Sequence, residues 1–358
     1  MNEEFWRGKK VLITGHTGFK GSWLALWLQH AGAEVIGYAL SPPTEPSLFK
    51  AARVADGMMS IEGNVCDLKH LTAVMTEQNP EIVIHMAAQS LVRYSYRHPV
   101  ETYATNVMGT VNLLEAVRQS ASVRVVINVT SDKCYDNKEH DRGYKEDDPM
   151  GGFDPYSSSK GCAELVTAAY RNSFFQAEDE TGHRVMLASV RAGNVIGGGD
   201  WADDRLIPDI IRAFIGNKAV VVRNPAAIRP WQHVLEPLDG YLALAERLWN
   251  EGAKFAEGWN FGPDETEAKP VSWIVEQMVR LWEGGARWEL DETRHPHEAK
   301  YLRLDCTKAK RRLGWLPKLT LETSLRWVVD WYKHYREDAD VRQITIDQIN
   351  QYQRLRTA

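Results

Sequence analysis

Tyr156 and Lys160 stand four residues apart in Tyr156-Ser157-Ser158-Ser159-Lys160, a spacing that puts both on one face of a helix. A lysine ammonium beside a phenol favours the phenolate and draws its pKa down from ~10 towards a range useful for acid–base work. Alone, the pair also fits an exposed helix surface. A second motif reverses that balance. Gly15-His16-Thr17-Gly18-Phe19-Lys20-Gly21 follows an apolar run and opens a helix. Glycines there let the backbone approach a pyrophosphate closely, and the helix N-terminus adds oriented N–H groups and partial positive charge.

These residues need elements to hold them. Short apolar runs over 9–14, 33–40, 59–65, 81–88, 123–131 and 184–192 read as six strands. Helical periodicity follows from Phe19 to about Gly32, over 67–78, over 99–119 and over 155–173. Strands apolar throughout and alternating with helices indicate a parallel sheet covered on both faces. The expected fold class is therefore α/β, a doubly wound parallel (Rossmann) sheet. The second half begins at the break Gly197–Arg205 and mixes helices with short strands. It reads as a smaller C-terminal α/β substrate domain. The expected division is 1–192 for the dinucleotide-binding domain and 193–358 for the substrate domain, with part of 230–262 returning to the main sheet. Residues 320–338 read as an amphipathic helix, and the last twenty, being polar, as a loosely packed tail or an oligomer contact.

Composition limits the function classes. The chain has 358 residues, 44% hydrophobic and 25% charged, with a net charge of −5, and this balance argues against a nucleic-acid partner. The first residues lack the apolar core of a secretory signal, and no apolar run reaches the ~18 residues of a membrane span. Cys66, Cys134, Cys162 and Cys306 form no Cys-x-x-Cys pair, so neither a metal site nor a disulfide framework is expected. The expectation is a cytoplasmic protein.

Gly15, Gly18 and Gly21 after the first strand, with Tyr156 and Lys160 on a later helix, resemble the extended short-chain dehydrogenase/reductases. His85-Met86-Ala87-Ala88, Asn106-Val107-Met108-Gly109-Thr110 and Arg191-Ala192-Gly193-Asn194 resemble further motifs of that family. The likeness runs from about residue 9 to 335. It implies NAD as cofactor, with Gly15, His16, Thr17, Gly18, Phe19, Gly21, Asp67, Leu68, Ala87, Ala88, Tyr156 and Lys160 around it. Tyr156 is then the acid–base group at a sugar hydroxyl, Lys160 its support, and Asp67 a contact to adenine.

Thr130-Ser131-Asp132-Lys133-Cys134-Tyr135 narrows the resemblance to the sugar-nucleotide 4,6-dehydratases. That branch places a hydroxyl residue, Asp and Glu here: the hydroxyl at the sugar 4-hydroxyl, the Asp as acid at the C6 hydroxyl, the Glu as base at C5. Ser131 and Asp132 fit, but Lys133 replaces the glutamate. Asp-Lys at this point, with Gly15–Trp23 and Arg229–Pro237, resembles the CDP-glucose branch. The implied reaction is redox-neutral. Oxidation at C4 acidifies the C5 proton, water leaves across C5–C6, and the hydride returns to C6. Lys133 is the C5 base if neutral, or a cation stabilising the enolate if charged.

At the nucleotide end the resemblance assigns the phosphates and nucleoside to Asn194, Arg205, Arg229, Arg294 and His297, arginine being suited to phosphate oxygens. The second strand ends in Tyr38-Ala39-Leu40-Ser41-Pro42-Pro43, without the carboxylate that usually holds the NAD ribose. No arginine for a 2′-phosphate replaces it. His16 is expected to crowd the pyrophosphate. The helices at 99–119 and 155–173 match those that pair subunits in this family, implying a homodimer, with a tetramer as the alternative. Other readings are a GDP-mannose or dTDP-glucose 4,6-dehydratase, a 4-epimerase or a non-catalytic dinucleotide sensor.

Overall fold

The protein is described here as a computed structural model covering residues 1–140, 142–175, 184–264, 267–291 and 302–355. Its centre is one parallel sheet of seven strands: β1 (Lys10–Thr14), β2 (Glu34–Ala39), β3 (Met59–Glu62), β4 (Ile82–His85), β5 (Val125–Val129), β6 (Met186–Ala192) and β7 (Gly258–Phe261). The spatial order is β7-β6-β5-β4-β1-β2-β3. It reverses direction between β1 and β4, and in such sheets ligands bind beyond the strand ends at that point. The α/β doubly wound sheet is the architecture expected from the sequence. The seventh strand comes from the second half of the chain.

The continuous apolar runs follow from two-sided burial. Val11 and Ile13 of β1 face one hydrophobic core, and Leu12 faces the other, because successive side chains point to opposite faces. Helices α1 (Phe19–His30), α2 (Leu68–Gln78), α3 (Gly109–Arg118) and α4 (Pro155–Phe174) follow strands of the first half. The expected helix over 99–119 is broken into Pro99–Tyr103, a widened turn over Ala104–Met108, and α3. In that turn the Asn106 amide both accepts from and donates to the Gln89 main chain and donates to Ser159 Oγ. The turn thereby ties the segment after β4 to α4.

In the second half α5 (Leu206–Ile215), α6 (Leu235–Glu251), α7 (Val271–Trp282), α8 (Leu321–Arg336) and α9 (Val341–Arg354) accompany three two-stranded pairs: Val195–Ile196 with Gln232–His233, Ile228–Arg229 with Lys269–Pro270, and Val220–Val222 with Trp288–Leu290. The polar C-terminal stretch is not loose. Val341, Thr345, Gln348, Ile349 and Tyr352 of α9 are buried, and Tyr352 meets Trp27 of α1 edge-on at 5.8 Å. This cover explains why α1 is apolar nearly all round, with every residue from Gly21 to Leu28 buried.

Candidate active site

The glycine turn joins β1 to α1. Gly15 has φ +78°, and a Cβ there would lie 2.7 Å from the Ala87 nitrogen; a Cβ on Gly21 would lie 2.1 Å from the Gly15 carbonyl oxygen. Both positions exclude any larger residue. Gly18 caps α1 without a side-chain bond, which leaves the N–H groups of the first turn to a ligand. Thr17 Oγ1 donates to the Leu40 carbonyl at 2.9 Å and thereby ties the turn to the end of β2. Thr14 Oγ1 accepts from the Met86 and Ala87 N–H groups, which fixes Ala87 and Ala88 beside the turn.

His16 departs from expectation. Its ring is fully buried over Gly37, where a Cβ would approach it to 2.4 Å. Nε2 pairs with Ser60 Oγ at 2.7 Å, and burial lowers the ring's pKa to about 4. The side chain therefore turns down onto the sheet rather than up into the pyrophosphate space. Asp67 is the N-cap of α2, accepting from the His70 N–H at 3.0 Å, and Leu68 follows it on the exposed surface.

Tyr156 and Lys160 lie on the buried face of α4. Beside them Ser131, Asp132 and Lys133 form a 3-10 turn at the end of β5. Ser131 Oγ donates to Asp132 Oδ1 at 3.0 Å, and Lys133 Nζ lies 3.5 Å from the same oxygen. The second carboxylate oxygen of Asp132 is buried with no partner among the described residues. It faces Gly193, where a Cβ would meet it at 3.2 Å.

The electrostatics correct the simplest expectation for the tyrosine. Burial raises the Tyr156 phenol; Lys133, a hydrogen bond with Ser131 and Arg205 oppose that rise, while Asp132 adds to it. Lys160 lies on the same buried face of α4. Its Nζ donates to the Val129 carbonyl at 3.4 Å, and burial lowers its ammonium to about 8 against the opposing pull of Glu164 and Cys134.

Both ends of the Ser131–Cys134 turn are gripped by one buried network. Glu164, one helical turn beyond Lys160, accepts from Thr130, Ser189 and both Nε and Nη2 of Arg191. Arg191 Nη1 donates to Tyr135 Oη at 2.6 Å, and Tyr135 donates to Asn260 of β7 at 2.7 Å.

The sequence profile of the GDP-mannose 4,6-dehydratase family matches residues 12–328. The chain belongs to that family. A CDP-glucose 4,6-dehydratase from Salmonella typhimurium is 58% identical over 352 residues, 98% of each chain. A dTDP-glucose 4,6-dehydratase from Streptomyces griseus is 28% identical over 91% of this chain and 94% of that one. Among solved structures, a dTDP-glucose 4,6-dehydratase from Bacillus anthracis in complex with NAD superposes with TM-score 0.74 at 22% identity, covering 92% and 98% of the two chains. A UDP-glucose 4-epimerase from Stenotrophomonas maltophila with bound NAD gives 0.79 at 21%, covering 92% and 100%. The last two establish a shared fold.

Of the remaining sequence candidates of this family member, Arg205 lies nearest the tyrosine. Arg205 joins Asp200 at 3.0 Å and Ser90 Oγ at 2.9 Å, and its charge reaches Tyr156. Gly193, next to Asn194, packs between Pro230, next to Arg229, and Asp132. Arg294 and His297 lie outside the described residues. Two groups carried no role from sequence. Lys20 reaches from the glycine turn to Tyr241 Oη at 3.1 Å. Burial, Lys160 and Arg205 lower its ammonium to about 7, with Asp132 opposing. Glu164 was the other, although its position four residues after Lys160 was the available signal.

Proposed function

We propose that the chain is a CDP-glucose 4,6-dehydratase, converting CDP-glucose to CDP-4-keto-6-deoxyglucose with NAD⁺ as a recycled cofactor. The observation that carries this is Asp132. Its buried carboxylate has one oxygen held by Ser131 and the other without a partner among the described residues, and its charge acts on Tyr156. An epimerase has no use for an acid there. A dehydratase needs one at the C6 hydroxyl. The 58% identity to a CDP-glucose 4,6-dehydratase supports the choice of nucleotide.

The residues present suit a dinucleotide: Gly15 and Gly21 leave no room for a Cβ, the first turn of α1 has no side-chain cap, and these with Thr17, Gly18 and Phe19 would hold the pyrophosphate. Ala87, Ala88, Tyr156 and Lys160 would hold the nicotinamide end. When bound there, NAD⁺ would supply a reversible hydride acceptor for C4 and C6. Tyr156 takes the C4 hydroxyl proton as that carbon becomes a ketone, and Ser131 orients the hydroxyl. Lys133 acts at the C5 proton, as base or as the cation on the enolate, and a proton returns to C5 when hydride adds at C6. Asp132 gives a proton to the departing C6 hydroxyl, which leaves as water. Arg205, Arg229 and Asn194 hold the diphosphate side.

This reading extends to a homodimer in the cytoplasm. Its dimer part is supported by exposed apolar residues in and around the helical segments at 99–119 and 155–173, Val100 at 82%, Phe153 at 84% and Leu165 at 60% exposure. Among the described residues no helix is long and apolar enough to cross a membrane. The test is product analysis after incubation with CDP-glucose and NAD⁺. A 4-keto-6-deoxy sugar nucleotide supports the reading; a 4-epimer, a net reduced cofactor or no turnover overturns it.

A further inference from the structure

A dinucleotide fold places an acidic residue at the end of its second strand, where it bonds the adenine ribose. Here β2 ends in Ala39, which has no polar group. The register of the sheet offers a replacement. Ala39 pairs in parallel with Glu62, the last residue of β3, so the two side chains point to the same face. Neighbouring strands lie only ~4.8 Å apart, and glutamate is one methylene longer than aspartate. The Glu62 carboxylate therefore reaches back to the end of β2: its Oε1 accepts from Ser41 Oγ at 3.2 Å.

The same face of β3 already meets the glycine turn. Ser60, two residues before Glu62, accepts or donates to His16 Nε2 at 2.7 Å, across the bare Gly37 of β2. Thr17 ties the turn to Leu40 from the other side. Leu40, Ser41 and Glu62 are all exposed, so this corner, bounded by the turn, the end of β2 and the end of β3, is open to a ligand.

We infer that Glu62 is the ribose-binding carboxylate of the NAD site, supplied from β3 in place of β2 and oriented by Ser41. The inference rests on the NAD-dependent reading above. It also makes Glu62 a specificity residue, since a carboxylate that bonds a 2′-hydroxyl repels a 2′-phosphate.

Fluorescence titration of the intact protein with NAD⁺ and NADP⁺ tests this. Glu62→Gln should weaken NAD⁺ about tenfold or more, equivalent to ~1.4 kcal/mol per tenfold, and should narrow the preference for NAD⁺ over NADP⁺ by a similar factor. Ser41→Ala should weaken NAD⁺ by a few-fold only. Adding Ala39→Asp to Glu62→Gln restores a carboxylate from β2 and should recover part of the lost NAD⁺ affinity. Equal NAD⁺ affinity and an unchanged NAD⁺/NADP⁺ ratio in Glu62→Gln overturn the inference while leaving the dehydratase reading intact. A wild-type protein that binds neither dinucleotide overturns that reading instead.

Discussion

Tyr156 and Lys160 reach the cleft from one face of a twenty-residue helix, whereas Ser131, Asp132 and Lys133 reach it from a single 3-10 turn. The helix fixes its residues by internal spacing. The turn has no such frame of its own and depends on being held at both ends, Thr130 on Glu164 and Tyr135 on Arg191 and Asn260. The difference teaches how one sheet edge can carry two chemistries. The hydride side is built locally, and the elimination side is positioned by a buried ion pair between α4 and β6, extended to β7 through Tyr135 and Asn260. A fully satisfied buried pair of this kind adds little net stability, and registering neighbouring elements is among its best-attested uses.

Substitutions separate the two sides. Tyr156→Phe removes the group that both steps await, so turnover should fall about 10³-fold with the fold intact, measured as keto-sugar formation alongside the thermal midpoint. Retained activity would move the proton-accepting role elsewhere. Asp132→Asn should be selective. Dehydration should fall about 10²-fold while hydride leaves C4 normally, so the near-ultraviolet absorbance of reduced nicotinamide should build up on mixing with CDP-glucose. Absence of that absorbance would place Asp132 before the elimination.

A smaller effect probes the floor beneath the glycine turn. His16→Ala opens a void over Gly37 and breaks the Ser60 bond, and should destabilise the protein by about 2 kcal/mol. The same residue sets a pH dependence. Burial lowers His16 to about 4 from 6.5, so the unfolded chain binds this proton first as pH falls. The stability associated with the neutral ring is present above 6.5 and lost as pH falls through about 4. His16→Asn should flatten that part of the curve of unfolding midpoint against pH. An identical curve would show that other groups set it.

These residues also show what a sequence can carry. Val11, Leu12 and Ile13 read as a doubly covered strand because every position of such a strand is buried. Tyr156 and Lys160 read as neighbours because helical spacing is local. The charges that oppose the burial of the phenol were not all legible: Lys133 and Arg205 act on it from other elements of the chain. Nor was the direction of His16, which depends on the missing side chain of Gly37 one strand away. Glu62 becomes meaningful only through its register with Ala39, a relation between strands more than twenty residues apart in the chain. The polarity of α9 hid a buried stripe at Val341, Thr345, Gln348 and Tyr352. Helical spacing was its only trace, and the partner helix that explains it lies at the other end of the chain.

The central claim is that one hydride leaves C4 and returns to C6 of the same sugar within one closed cycle. CDP-glucose carrying deuterium at C4, incubated with the protein and NAD⁺, tests it directly by mass spectrometry and NMR of the product. The account predicts loss of one water and deuterium on C6, with no net reduction of the cofactor. Deuterium absent from C6, or recovered in free reduced cofactor, would contradict it.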